Sequence, residues 1–467
     1  MRLPPEVPAS SSAGHAENMT PDRIREFLHD TRKVFGDVFS VNASGQKLTY
    51  VFDADILHHI WVANSENYTR RPSVNGAAAM FPGLFMDLTP GFRRKRRLLE
   101  PIACPATIDS MHRHFVSSTI RAINPTKDVW QIASETGQVR CCHSDMRNLG
   151  FELAVETFLG IELSNTEREN AKQACSHLVK FGYGATFESD GHGGSMSQEE
   201  RVLRDIVLRT VAEKRASPGQ DFVSLMLRFR EPLAGDRLDT AELVNEIFSA
   251  LWASAETIGN VLGFMWQFLA ENPSVISRAC EEVDRVLGGR VPAVEDVQAL
   301  PYCMQVAQET LRRRPTAWIA GKLPMEDDVV SGFLFRRDEP IWTSIYEVHH
   351  HERYWADASK FDPDRFLPES SGKRHRFCYL PFGGGTRKCI AERLVPMQMQ
   401  LVLATLLQKF DLRLADPQDP GLEFHTVISV KRKFPNVKLW LRAESPNRNS
   451  SLQKERSCAP SIATLTS

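Results

Sequence analysis

The chain lacks any Cys-x-x-C pair, and its nine cysteines are an odd number scattered through 467 residues, with only Cys141 and Cys142 adjacent. That excludes a disulfide scaffold and favours a reducing compartment. It lacks a dominant charge: 57 Lys and Arg against 58 Asp and Glu leave a net charge of -1, so no basic field exists to hold nucleic acid. No stretch approaches the ~18 consecutive apolar residues of a membrane span, and the first 20 residues carry no apolar core of the signal-peptide kind. Neither a signal peptide nor a transmembrane anchor is therefore read in this chain. Glycine and proline, 27 of each, are near ordinary usage and exclude a fibrous protein, while 42% hydrophobic residues exclude a disordered one.

What is present reads as one continuous folded body. Residues 1–20 and the tail 445–467 are rich in Ser, Pro and Asn without a period, and are expected to be mobile ends around a single domain, 21–444. The Gly/Ser-rich run Ser189 to Ser197 reads as a surface loop. Val38 to Val51 alternates around a Ser-Gly turn and predicts a hairpin, one of few strand signals, which lie mostly near the beginning and the end. Most of the middle is helical. Its clearest helix starts at Asp239, where Glu242 completes a variant capping box, and runs to Asn272-Pro273. Leu243, Val244, Ile247, Phe248, Leu251, Trp252, Ala255, Ile258 and Leu262 recur along it at helical spacing, so it predicts a rod of roughly 48 Å that crosses a whole domain.

The chemistry concentrates around Cys389, in Leu380-Pro-Phe-Gly-Gly-Gly-Thr-Arg-Lys-Cys389-Ile-Ala-Glu-Arg. Glycines 383 to 385 open backbone conformations closed to other residues and leave no side chain to obstruct a flat ligand. A cysteine where such a loop runs into a helix meets unpaired N–H groups and the positive helix end, which favour its thiolate. Pro396 is expected to kink or interrupt that helix. For an arbitrary cysteine the default is a buried thiol beside a turn; the spacing of this run argues otherwise.

Phe382, Gly385, Arg387 and Cys389 match the haem-binding signature F-x-x-G-x-R-x-C-x-G of cytochromes P450, with Ala391 where the last glycine is usual. The chain thus resembles the cytochrome P450 family, and the resemblance implies a fold that is mainly α with small β-sheets, and haem b, iron protoporphyrin IX, as cofactor. It implies Cys389 as the iron ligand, Phe382 packed near the sulfur, and Arg387 on a haem propionate. The physics agrees, because a guanidinium presents a fork that matches a carboxylate, and a thiolate ligand pushes electron density onto the metal and favours O–O cleavage.

Three further segments resemble the family in the expected order. Glu309-Thr-Leu-Arg312 resembles its E-x-x-R, and Pro363, Arg365 and Phe366 its P-x-R-F; residues three apart share a helix face, so Glu309, Arg312 and Arg365 are expected to form a buried structural triad. Ala253-Ser-Ala-Glu-Thr257 resembles the oxygen-activating segment, with Ser254 in place of glycine, a hydroxyl expected to bond back to the i−4 carbonyl. Thr257 and Glu256 are then the candidates for delivering protons, a hydroxyl beside a carboxylate forming a short relay. Phe92-Arg-Arg-Lys-Arg96-Arg97 resembles W-x-x-x-R with Phe92 for tryptophan; Arg96 is chosen for the second propionate, with Arg97 and Arg93 as alternatives, and the same helix as a basic docking surface for the redox partner.

The reading that follows is a haem-thiolate monooxygenase inserting one atom of O2 into a hydrophobic small molecule, terpenoid-, sterol- or polyketide-like. Its electrons would come from an NADPH-cytochrome P450 reductase, since this chain has no Gly-rich phosphate loop after a strand. A P450-fold isomerase or dehydratase working without external electrons, and a thiolate-haem sensor, are the alternatives; members of the former kind commonly lack the acid and threonine that this chain has. A metal hydrolase read from His349-His-His351 fails for want of H-E-x-x-H. The resemblance implies an endoplasmic reticulum membrane surface, and peripheral contact through Ala77 to Met86 is open. Pocket walls are expected around Phe181 to Phe187, Ala250 to Thr257, Thr316 to Ile319 and Thr426 to Ile428.

Overall fold

The computed structural model describes residues 2–9, 14–20, 23–70, 83–84, 87, 91–184, 197–229, 236–415, 423–426, 429–431 and 436–442. The tail 445–467, and the Ser189 to Ser197 loop except for Ser197, lie outside these residues. Helices dominate, and small sheets sit at the periphery.

The described residues of the amino-terminal segment pair with the edge of the sheet. The strand β1, Val38–Ala43, pairs with β2, Gln46–Val51, across a turn in which Ser44 and Gly45 both have positive φ, the geometry a two-residue hairpin demands. Strand β1 is the edge of a five-stranded sheet, completed by β3 (Tyr68–Arg70), β4 (Ile319–Pro324) and β5 (Ile341–Ser344) in the order β1-β2-β5-β4-β3. Its outer backbone groups would be left unpaired, and the N-terminal segment takes them: Ser40 N donates to Pro5 O, Val7 N to Ser40 O and His15 N to Asn42 O. Val7 and Met19 are buried by this strap. An irregular segment that covers an edge has no period of its own, which is why composition suggested mobility.

The helices that position the site are α1 (Ile24–Phe35), α2 (Gly91–Leu99), α3 (Pro105–Thr136), α4 (Cys142–Ala154), α5 (Thr240–Glu271), α6 (Pro301–Arg313) and α7 (Leu394–Leu407). The expected capping box of α5 is present in both directions: Glu242 N donates to Asp239 Oδ1 at 2.8 Å and Asp239 N to Glu242 Oε2 at 3.0 Å. The helix runs 32 residues. It crosses α4 closely because Gly259 has no side chain; a Cβ there would lie 2.7 Å from Arg147 Cα.

Two apolar cores share α5. Its first half, from Leu243 to Leu251, belongs to a cluster with the helices Gln198–Ala216 and Phe222–Arg228, and its second half, from Ile258 to Leu269, to a cluster with the sheet, α3 and α6. A cavity lies where the two cores part along this helix. The kink expected at Pro396 is absent: α7 begins at Leu394, so Pro396 falls in its first turn, where an N–H has no intrahelical acceptor to lose. Among the described residues no helix is long and apolar enough to cross a membrane.

Candidate functional site

The cavity has a volume of about 510 Å³ and its walls are largely apolar, among them Trp61, Phe92, Phe115, Phe158, Phe222 and Met226. Cys389 opens into it, and its loop is closed by backbone bonds from Cys389 N to Phe382 O and from Lys388 N to Gly385 O. One expectation is overturned here. Helix α7 starts at Leu394 rather than at the cysteine, so the sulfur does not sit on a helix end. Although Cys389 is exposed to the cavity, the protein packed around it pushes the thiol above its usual range, against the weaker pull of the Ala391 backbone N–H and Arg96. Thiolate character would have to be drawn out by a metal on the sulfur.

The glycines of the loop serve a contact the sequence did not announce. Gly385 has φ +66, and a Cβ on it would lie 1.7 Å from the carbonyl oxygen of Trp61, in the π-helical turn His59–Ala63. The loop can seat against that turn only with glycine there.

Arg387, Phe382 and Arg96 all line the cavity. The Arg387 guanidinium lies 3.6 Å from the Phe92 ring centroid and donates to Asp87 O at 2.9 Å. Thus the residue that stands for tryptophan meets a cation with its face. Arg96 donates to Lys388 O at 2.7 Å, beside the cysteine. Arg93 instead pairs with Glu66, and Arg97 is exposed and off the cavity wall, so of the three candidates on α2 Arg96 alone reaches it. The sequence reading missed Lys322 and Arg70, which β4 and β3 bring to the same wall. Lys322 is buried over the Trp61 ring with no ion pair among the described residues, and burial with the neighbouring Arg387 and Arg70 lowers its pKa to about 8. Burial and Arg70 likewise lower Arg387, to about 10. Cations so crowded call for an anion between them.

On α5 the structure separates the two residues expected to act together. Ala253, Ser254 and Thr257 face the cavity; Glu256 does not line it. At about 100° per residue Glu256 turns toward α4, where Arg147 donates to its Oε2 at 2.9 Å and Asn260 to its Oε1 at 3.3 Å. Thr257 Oγ1 donates to Ala253 O at 2.7 Å, the i−4 bond expected of Ser254, whose hydroxyl reaches Leu251 O at i−3. No direct contact joins the Thr257 hydroxyl and the Glu256 carboxylate.

Below the loop, Glu309 and Arg312 are brought together fully buried, with two bonds of 2.7 Å. Arg312 also donates to His349 O, Ala358 O and Lys360 O. Arg365 lies 3.6 Å from Glu309 Oε1 and donates to Ala356 O and Asp357 O, so it joins the pair through charge rather than a hydrogen bond. The histidine run is structural. His349 holds Leu380 and Arg312, His350 caps Tyr346 O, and His351 pairs with Asp37.

Ala250, Thr316, Ala317 and Ile319 line the cavity as expected. The side chains of Phe181 to Phe187 and Thr426 to Ile428, and all of Ala77 to Met86 except Gly83 and Leu84, lie outside the described residues.

A mostly helical domain with small sheets, carrying an F-x-x-G-x-R-x-C loop on an apolar cavity, defines a class. The sequence model of the family described as Cytochrome P450 matches residues 3–439, and the chain belongs to the cytochrome P450 family. It is similar to a bifunctional cytochrome P450/NADPH–P450 reductase of Gibberella moniliformis, 28% identical over 322 residues, which span 66% of this chain and 28% of that protein. It is also similar to a cyclooctat-9-en-7-ol 5-monooxygenase of Streptomyces melanosporofaciens, 32% identical over 45% of this chain and 46% of that one. The chain spans less than half the length of these curated relatives. Among solved structures, the cytochrome P450DA heme domain superposes with a TM-score of 0.81 at 21% identity, covering 95% of this chain and 99% of that one.

The family's cofactor is haem held by a cysteine thiolate. The residues present fit it: a thiol and a crowded set of cations open on one cavity with apolar walls, the donor set that an iron porphyrin bearing two carboxylates requires.

Proposed function

We propose that this chain is a haem-thiolate monooxygenase acting on a hydrophobic small molecule, with electrons from an NADPH-dependent reductase. The observation that carries this reading is the opening of Cys389, Thr257 and an apolar wall on a single cavity. When bound, the haem supplies the activation of O2, one atom going into the substrate and the other leaving as water.

The rest is the work of this chain's residues. Cys389 is assigned to the iron, with Phe382 beside it limiting solvation of the sulfur. Arg387, Arg96 and Lys322 are assigned to the haem carboxylates, whose charge relieves the mutual repulsion of the buried cations. Aromatic and aliphatic walls exclude water and take an apolar substrate, consistent in kind with a relative named cyclooctat-9-en-7-ol 5-monooxygenase. The Thr257 hydroxyl faces the cavity and can pass its proton there when its bond to Ala253 O breaks. Glu256 acts at one remove, as a carboxylate fixed by Arg147 on the far face of α5. The fused reductase in a relative's name supports a two-electron supply from a partner.

The test is turnover under ¹⁸O2 with a surrogate reductase. Product carrying one ¹⁸O atom, formed only with NADPH, is the expected outcome; conversion without incorporation or without NADPH would assign the site to isomerisation or dehydration instead.

A further inference from the structure

Within the apolar cavity one stretch of wall is polar and incompletely satisfied. Glu246 and Ser249 stand three residues apart on α5, hence on one face, and both line the cavity. Both are buried, at 4% and 3% exposure. Glu246 Oε2 accepts a 2.7 Å bond from Leu84 N, but among the described residues its Oε1 has no hydrogen-bond partner, and neither has the Ser249 hydroxyl. Lys95 Nζ stands 3.9 Å from that oxygen, beyond hydrogen-bond reach, and lies closer to Asp87, at 3.0 Å. An orphaned buried acceptor and an orphaned hydroxyl are each unfavourable. Two of them on one cavity wall point to a group that fills both.

We propose that Glu246 and Ser249 form a recognition point for a hydroxyl group on an otherwise apolar substrate, the hydroxyl donating to Glu246 Oε1 and accepting from Ser249 Oγ. This rests on the monooxygenase reading of the cavity and names its substrate class as an alcohol. A hydroxyl fits because it both donates and accepts at one atom. A cationic amine fits poorly, since the ammonium of Lys95 already faces the same carboxyl. Burial also pushes the Glu246 carboxyl up to about 7, despite Leu84 N–H and Lys95, which further weakens its claim on a cation. Thr257 lies three turns further along α5, roughly 16 Å at 1.5 Å per residue. A hydroxyl held at Glu246 therefore directs oxidation to the far end of the molecule.

The experiment is an optical binding titration of the haem-loaded protein, which needs no electrons and so fails or succeeds separately from turnover. Two matched pairs serve as probes, 5α-androstan-3β-ol with 5α-androstane and 1-dodecanol with dodecane; dodecyltrimethylammonium, which cannot ligate iron, stands for a cation. The expected result is at least a tenfold tighter Kd for the alcohol in one or both pairs. Ser249→Ala, which leaves the Leu84 contact intact, and Glu246→Gln, which keeps the shape, should each cut that preference to threefold or less while the hydrocarbon Kd stays within twofold. The proposal is overturned if the parent protein prefers neither alcohol, whether by equal binding or by none. It is equally overturned if the preference survives in Ser249→Ala, or if the ammonium probe binds more tightly than dodecanol.

Discussion

The Nε2 of His349 accepts a 2.7 Å hydrogen bond from the backbone N–H of Leu380, which fixes the proton on Nδ1, 3.1 Å from the Arg312 carbonyl oxygen. One neutral imidazole thus joins the end of the E-x-x-R helix to the residue that opens the cysteine loop. The side chain is fully buried.

His349→Leu should strand the Leu380 N–H and the Arg312 carbonyl in the interior. At about 1–3 kcal/mol for each unpaired group, the thermal midpoint and the haem content per chain should both drop. Unchanged haem loading would show that the loop is held by its other contacts alone.

The same residue gives the fold a signed pH dependence. Burial, with Arg312 nearby, lowers the His349 pKa to about 3, against an ordinary value of 6.5; burial lowers His143 to about 3 as well. Both are neutral bases in the fold, so below pH 6.5 only the unfolded chain takes up these protons. Stability present above 6.5 is lost as the pH falls toward 3, by at most ~1.4 kcal/mol per unit for each histidine. Urea midpoints at pH 7.5, 6 and 5 should therefore decline, and less steeply in His349→Gln. A midpoint that rises on acidification, or an identical slope in the variant, would contradict this.

Within the triad the losses should be unequal. Glu309→Ala leaves Arg312 charged, buried and unpaired, a loss of roughly 3–5 kcal/mol, and should yield little haem-loaded protein. Arg365→Ala removes two backbone contacts and a charge at 3.6 Å from Glu309, so it should be the milder change. Parallel chemical denaturation of the two variants decides the order.

Lys322→Gln should weaken haem retention several-fold while Lys322→Arg keeps it, because the assignment is to charge at a buried wall. Haem transfer to an excess of apomyoglobin measures the rate. If Lys322→Gln holds haem as firmly as the parent, the propionates rest on the arginines alone.

Thr257→Ala should divert electrons to hydrogen peroxide, raising peroxide formed per NADPH oxidised while binding spectra stay unchanged. Glu256→Gln should do so less, since it weakens a link to Arg147 rather than a group on the cavity wall. Equal peroxide yields from parent and Thr257→Ala would remove the threonine from proton delivery.

What the sequence made legible was local. The capping box of α5, the Ser-Gly hairpin and the i,i+3 pair Glu309 and Arg312 are each encoded within a few residues, and spacing alone finds them. The cysteine loop was legible as a pattern, but the reason for its last glycine was not, because Trp61 stands hundreds of residues earlier. Lys322, His349 and the N-terminal strap share that character: each matters through a partner distant in the chain. Glu256 shows a different limit, since adjacency in sequence reads as proximity although neighbours on a helix point about 100° apart.

The fit of Gly385 under the Trp61 carbonyl carries a consequence for the order of assembly. The seat of the cysteine loop, at Trp61, precedes the loop itself by hundreds of residues. A ribosome-bound chain holds the seat, Arg70 of β3 and part of the walls long before Cys389 has emerged. The pocket can therefore close around an iron ligand only once the chain has been made as far as Cys389, so haem capture follows the making of its walls rather than guiding it.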